Sequence, residues 1–178
     1  MRVIAGTHGG RRLVAPKGRD TRPTSDRVRE ALFSILGPLD GERVLDLFAG
    51  SGALAIEALS RGARSALICD HARPAIGAIR ENLAALGLDA EVVHDDARRV
   101  LRDAIARGDA YDLVFLDPPY RQAERWAAHL SELLPAVLAP GARVVSESDR
   151  RAPLGLELPL VDERRYGDTV IQIHTHDH

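Results

Sequence analysis

From Gly41 onward, short apolar runs alternate with stretches in which apolar residues recur every three to four positions. The runs predict strands at 43–48, 65–70, 91–94, 112–117 and 142–147. The longer-period stretches predict helices at 52–61, 73–86, 96–107 and 121–138. Strands separated by helices of that length imply right-handed βαβ crossovers and a mostly parallel sheet. The tail differs. Residues 156–161 and 169–174 are two β-like runs joined by 162–168 with no helix between them, which predicts an antiparallel pair at one edge.

Before Gly41 the pattern is looser. Residues 2–5 and 11–14 are short and β-like, separated by Gly6, Gly9 and Gly10, and predict a small hairpin or extended arm. Residues 15–23, with Pro16, Gly18 and Pro23, are loop. A helix follows, capped by Thr24 or Ser25, with Val28, Leu32, Ile35 and Leu36 on one face and Gly37-Pro38 as its stop. The chain therefore divides into an amino-terminal arm and helix, 1–40, and an α/β body, 41–178.

Composition narrows the class. With only 4% aromatic residues the core must rest on Leu, Val, Ile and Ala. No run approaches the ~18 apolar residues of a membrane span, and residues 1–6 are too short for the apolar part of a secretion signal. Cys69 is the sole cysteine, so no internal disulfide forms, which suits the cytoplasm. Net charge is −2, but it is unevenly spread. Residues 1–30 hold eight basic and three acidic residues, a balance of +5, while the remainder holds 16 basic and 23 acidic, or −7. A basic arm on an acidic body is the asymmetry expected of a nucleic-acid contact. Arginine supplies 23 of the 24 basic residues, which also fits a simple compositional bias and is not read as a preference for forked phosphate contacts.

Candidate chemistry begins at Val44-Leu45-Asp46-Leu47-Phe48-Ala49-Gly50-Ser51-Gly52, a strand that turns through glycines into a helix. Such turns place backbone amides at the carboxyl end of a strand, where ligands bind in open α/β sheets. A dinucleotide site would want a third glycine, and Ala55 stands there. Asp46, at the strand end, would repel a pyrophosphate but suits a ligand carrying an ammonium and a sulfonium, as S-adenosylmethionine (SAM) does. Asp70 ends the second strand, where a carboxylate can accept from both ribose hydroxyls. Asp96 follows the third strand at the adenine end, with Asp95 equally well placed. Each has a plainer reading: Asp96 as a helix cap, Asp70 as a solvated loop residue.

Leu113-Val114-Phe115-Leu116 runs directly into Asp117-Pro118-Pro119-Tyr120. Two prolines after a buried strand fix the backbone, remove donors and leave carbonyls as acceptors. Asp117 and the Pro118 carbonyl can each accept one N–H of a planar amine while Tyr120 stacks on its ring, a contact worth about 1–3 kcal/mol.

The glycine turn together with Asp-Pro-Pro-Tyr, in this order and on these strands, resembles the class I SAM-dependent N-methyltransferases of exocyclic amines. Residues 22–33 (RPTSDRVREALF), 49–54 (AGSGAL), 57–63 (EALSRGA) and 166–169 (YGDT) further resemble the RsmD family, the 16S ribosomal RNA guanine-N2 methyltransferases. The match runs nearly end to end. It implies a three-layer α/β/α Rossmann-like sheet and methyl transfer from SAM, without a metal, to N2 of one guanine in 16S rRNA. The partner would be an assembling small ribosomal subunit and the chain a monomer. The cofactor positions it implies are Asp46, Phe48, Ala49, Gly50, Ser51, Gly52, Asp70, Asp96 and Ala97, and its catalytic motif falls on Asp117, Pro118, Pro119 and Tyr120. Where many relatives carry Glu at the end of the second strand, this chain has Asp70, whose shorter reach makes bidentate ribose contact less secure. The tail His174-Thr175-His176-Asp177-His178 also departs from the family pattern.

With no separate RNA-binding module, the basic arm becomes the expected RNA contact, through Arg11, Arg12, Arg22, Arg27 and Arg29. A merely solvated basic face is the alternative. Thr24 and Arg27 lie where this segment folds over the cofactor groove in proteins it resembles, although capping accounts for Thr24 more simply. Cys69 reads as a small buried hydrophobe, Trp126 as packing or a lip of the RNA pocket, and the alternating terminal histidines as a frayed end rather than a zinc site. Two rivals remain. A DNA adenine-N6 methyltransferase would need a target-recognition insertion that this chain lacks. A non-catalytic SAM-binding partner subunit would not need an intact Asp-Pro-Pro-Tyr. A protein glutamine methyltransferase would show Asn at position 117.

Overall fold

The structure, a computed structural model, describes residues 1–18 and 24–177. Seven strands form one sheet: β1 (Arg43–Asp46), β2 (Ser65–Asp70), β3 (Glu91–His94), β4 (Tyr111–Leu116), β5 (Leu138–Asp149), β6 (Leu160–Tyr166) and β7 (Thr169–His176). Their order is β3-β2-β1-β4-β5-β7-β6. The first five pair in parallel, and β7 runs antiparallel to both β5 and β6. The fold is the Rossmann-like one expected, with its antiparallel strands at one edge.

Among the described residues, five α-helices cover the sheet: α1 (Asp26–Leu36), α2 (Ala53–Ser60), α3 (Arg73–Leu86), α4 (Ala97–Arg107) and α5 (Ala123–Leu133). Alternate strand residues feed two cores. Val44, Ile68, Leu113 and Phe115 pack with Leu32 and Phe33 of α1, Ile56 of α2 and Ile79 of α3. Leu45, Leu67, Val114 and Val144 face the other way, onto Leu101 of α4 and Trp126 and Leu130 of α5. Period-two alternation across a sheet covered on both faces thus produces three layers.

Local chemistry sets the helix ends. The Ser25 hydroxyl accepts from the Val28 amide and caps α1, so Ser25 and not Thr24 is the cap. Asp96 caps α4 through the Arg98 amide, and Gly87 and Gly108 close α3 and α4 in the left-handed conformation. The predicted elements at 65–70, 73–86 and 91–94 coincide with β2, α3 and β3.

Three expectations need correction. The helix predicted at 121–138 is α5 flanked by 3₁₀ turns, Tyr120–Gln122 and Leu134–Val137, because Pro135 lacks the amide that would continue the ladder. The strand predicted at 156–161 is displaced to Leu160–Tyr166, so most of the expected 162–168 connection is strand. That edge strand carries charge where alternation would show apolar residues, with Arg164 on Asp162 at 3.0 Å and Arg165 on Glu163 at 3.6 Å. Charged edges of this kind discourage pairing with another chain. Finally, His174 and His176 are not frayed: β7 runs to His176, paired with β5, and His174 is buried with its imidazole pKa lowered by desolvation. His178 lies outside the described residues.

The amino-terminal arm is a hairpin closed by the Arg2–Arg12 bridge, with Val3 donating to the Arg11 carbonyl and Leu13 to that of Met1, both at 2.9 Å. Val3 and Leu13 enter the α1–α3 core. The buried carboxylate of Glu57 on α2 accepts from the amides of Ile4 (2.8 Å) and Ala5 (3.1 Å). At Gly6 (φ +83°) a Cβ would lie 1.9 Å from the Ser60 carbonyl oxygen, so only glycine permits this approach. Asn82 of α3 completes the seat, accepting from the Val14 amide and donating to the carbonyls of Val14 and Ser51.

Candidate active site

Strand order reverses beside β1: the chain moves outward through β2 and β3, then crosses to β4 on the other side. Open α/β sheets bind ligands at the carboxyl ends of the strands at such a point. Register determines which side chains stand there. Asp46 pairs with Ile68 and Phe115, and Phe115 with Val145; these three apolar partners belong to the α1–α3 core. Two residues on, Asp70 follows Ile68, Asp117 follows Phe115 and Glu147 follows Val145 to the same face. Four neighbouring strands thus bring four carboxyl groups to one edge and one side.

These groups act on one another. Burial first, and Asp70 second, push the Asp46 carboxyl up to about 7, against backbone amides of Ala55 and Phe48 that favour its charge. Its Oδ2 is buried without a hydrogen-bond partner. An orphaned carboxylate oxygen beneath a glycine turn calls for a cationic or N–H donor and repels a phosphate. The turn itself is Ala49-Gly50-Ser51-Gly52, with Gly50 and Gly52 at φ +59° and +81°. A Cβ on Gly52 would press to 3.3 Å from Ile79, so that glycine also lets the turn settle against α3. Phe48 leaves the strand to the other side and meets Trp126 edge-on at 5.0 Å. Trp126 is buried packing, and Arg98 lies over its ring at 5.5 Å.

Asp70 is buried, and each oxygen already accepts one amide, Gly50 and Ala72, both at 2.9 Å. It is not the solvated loop residue of the plainer reading. It braces the glycine turn, and each oxygen keeps a second lone pair for a hydroxyl donor. Asp96 takes its capping role, and the Arg98 guanidinium on its carboxylate holds its pKa down. Ala97 opens α4 directly beside it. Asp95 accepts from the Asp96 amide at 2.7 Å and lies 3.7 Å from Arg99.

Beyond β4, Asp117-Pro118-Pro119-Tyr120 forms the rim. Pro118 is buried, while Asp117, Pro119 and Tyr120 are exposed. The Pro119 carbonyl accepts from Gln122 at 3.0 Å, closing the turn behind it. Although Asp117 has an open surface, the protein around it raises its pKa well above the usual range by desolvation, with Glu147, Asp46 and Asp70 adding repulsion. Glu147 is also raised by desolvation, opposed by the Thr24 hydroxyl, which donates to its Oε2 at 2.5 Å. The reading from sequence missed Glu147. Its signal was a charged residue closing the apolar run Val144-Val145 of the strand beside Asp117.

The basic arm divides. Arg12 and Arg27 are exposed. Arg11 is exposed as well, with one guanidinium nitrogen on the Ala85 carbonyl at 2.8 Å. Arg22 lies outside the described residues. Arg29 is a correction: it is fully buried, its guanidinium on Glu57, Asp26 and the Arg2 carbonyl, so it holds the arm and cannot reach a phosphate. Cys69 is buried, and desolvation pushes its thiol up to about 12, an inert packing residue. Two depressions of about 370 and 660 Å³ open at the opposite edge, beside Asp112 and Arg143 and beside Arg64 and Tyr111, and no predicted site residue lines either.

Comparison with known proteins covers the whole of this arrangement. The sequence profile of a family described as conserved hypothetical protein 95 matches residues 1–175. YlbH of Bacillus subtilis is 40% identical over 98% of both chains. A protein of Escherichia coli named ribosomal RNA small subunit methyltransferase D is 42% identical over 68% of this chain and 61% of its own length. The solved structure of yhhF from Escherichia coli superposes with a TM-score of 0.85 at 34% identity, covering 99% of this chain and 98% of that one.

Proposed function

This chain belongs to the RsmD family, described as conserved hypothetical protein 95, and from that premise we propose that it transfers a methyl group from SAM to the exocyclic N2 amine of a guanine in 16S rRNA. The observation that carries the reading is the pairing of two features across the switch point. On β1 a buried carboxylate oxygen without a partner lies under a glycine turn. On β4, the neighbouring strand, stands a proline-stiffened rim with a carboxylate and an aromatic ring. The names of relatives such as ribosomal RNA small subunit methyltransferase D support ribosomal RNA as the substrate class.

Residues 46–52 would hold the amino-acid end of SAM: Asp46 its ammonium, and Phe48, Ala49, Gly50, Ser51 and Gly52 the turn around it. The remaining lone pairs of Asp70 would take ribose hydroxyls, Asp96 and Ala97 would meet the adenine, and Thr24 would close over the groove. Bound SAM supplies a methyl group already activated by its sulfonium. The protein's task is then to present the amine. A guanine amine is a poor nucleophile because its lone pair is delocalised into the ring. Asp117 and the Pro118 carbonyl accept its two N–H bonds and favour a pyramidal nitrogen, while Pro119 stiffens the rim and Tyr120 stacks on the base. Alignment of this kind supplies roughly 7–11 kcal/mol in favourable cases. Asp117, with its raised pKa, then takes a proton that becomes acidic as the methyl arrives.

Residues 1–40 serve as the RNA contact and 41–178 as the transfer domain, in the cytoplasm, on a loop nucleotide that costs little to extrude. The test is incubation with labelled SAM and either naked 16S rRNA or under-modified small subunits, followed by mapping of the label. Label on a guanine N2 supports the reading. Label on an adenine, or none on either RNA, overturns it.

A further inference from the structure

We propose that Glu147 reads the target base by accepting the guanine N1–H next to the amine held by Asp117, and so selects guanine against adenine. This rests on the methyl-transfer reading above and extends it to a residue that the sequence motifs do not include. Leu116 and Ser146 are the last paired positions of β4 and β5, so Asp117 and Glu147 stand side by side one step further on. Adjacent strands lie about 4.8 Å apart, close to the width of a purine's Watson–Crick edge. Alternation from Phe115 and Val145, which belong to the α1–α3 core, brings both residues to that side, where Glu147 and Asp46 repel the Asp117 carboxylate.

Two neighbouring acceptors suit one base and not the other. Guanine offers three donors in a row, the N1–H and the two hydrogens of N2. Adenine offers an amine beside N1, which is an acceptor, so the same site would set a carboxylate against a ring lone pair and leave both unpaired. Glu147 is built for the task. Thr24 donates to its Oε2, fixing the carboxylate and leaving the other oxygen to accept. Among the described residues no arginine or lysine forms an ion pair with it, and the protein around it disfavours a bare charge. That arrangement raises the return from an N–H donor supplied by a substrate.

The test uses 2-aminopurine, which keeps the exocyclic amine but has an acceptor at N1. Small subunits are reconstituted with 16S rRNA carrying either guanine or 2-aminopurine at the labelled position, and methyl transfer is followed with the full-length protein. A hydrogen bond to a charged group is worth about 10- to 100-fold, so the wild type should prefer guanine by that factor in kcat/KM. Glu147→Gln, whose amide can donate to N1, should reduce the preference to within about threefold while SAM affinity, read by calorimetry, is unchanged. A guanine preference that survives Glu147→Gln overturns this assignment and leaves the methyl-transfer reading standing. Label on an adenine in the wild type overturns both. Should Glu147→Gln fail to fold, Glu147→Asp carries the test: an intermediate preference supports the assignment, and an unchanged one overturns it.

Discussion

Arg29 on α1 and Glu57 on α2 form an ion pair at 3.2 Å from which solvent is wholly excluded. Glu57 also takes Arg61 at 2.8 Å and the amides of Ile4 and Ala5. One buried carboxylate therefore joins two helices to the amino-terminal hairpin. It also explains why a residue that sequence placed on a basic RNA face is internal.

Removing one member of such a pair strands the other. Arg29→Ala should lower unfolding stability by about 3–5 kcal/mol, measured in urea, and speed hydrogen exchange at Ile4 and Ala5. Arg29→Lys, which keeps a cation beside Glu57 and leaves its amide donors in place, should recover part of that loss. An Arg29→Ala variant as stable as the wild type but weak on RNA would return Arg29 to the RNA contact.

Asp46 makes stability depend on pH. Its folded pKa is raised from 3.8 to about 7. Below about pH 4 it is neutral in both states and adds nothing; above pH 7 it is charged in both, and the folded state carries the full cost. Stability should therefore fall as pH rises between those limits, by on the order of 4 kcal/mol for a shift of about three units. Asp46→Asn should flatten that slope in urea titrations of the ligand-free protein. SAM binding should show the opposite trend in the wild type, tightening from pH 5.5 to 7.5 as the carboxylate ionises, and Asp46→Asn should abolish the trend.

Asp117 and the cofactor turn sit on different strands, so their defects should separate. Asp117→Ala should reduce kcat by about 10²- to 10⁴-fold while leaving SAM affinity within about threefold. Single-turnover assays with saturating SAM and RNA check this. An Asp117→Ala enzyme at wild-type rate would remove the amine-holding role.

What sequence made legible follows from where patterns are local. The strand–turn–helix at Asp46 and the Asp-Pro-Pro-Tyr rim are contiguous and keep their meaning whatever surrounds them, so both fell where expected. β6 escaped because its residues are charged on an exposed edge, where alternation carries no apolar signal. Glu147 and Arg29 escaped for a different reason. Each is defined by partners far away in the chain, Asp117 and Thr24 for one and Glu57 for the other. Only the β4–β5 register and the packing of α1 on α2 bring those groups together.

The arm's remaining cations set a quantitative expectation for RNA binding. With Arg29 internal, the exposed basic residues described there are Arg2, Arg11, Arg12, Lys17 and Arg27, of which the four beyond Arg2 are taken as the phosphate contacts. Four phosphate contacts on single-stranded RNA predict that log affinity falls with log salt at a slope near −2.8, at about 0.7 per contact. Arg12→Ala with Arg27→Ala should halve the slope and weaken binding uniformly across sequences, because phosphate contacts carry no base information. Neither residue pairs with a carboxylate in the ion pairs described, so the loss should come from RNA contact and not from folding. Filter binding at several salt concentrations measures both slopes. A wild-type slope near zero would place the RNA elsewhere on the protein.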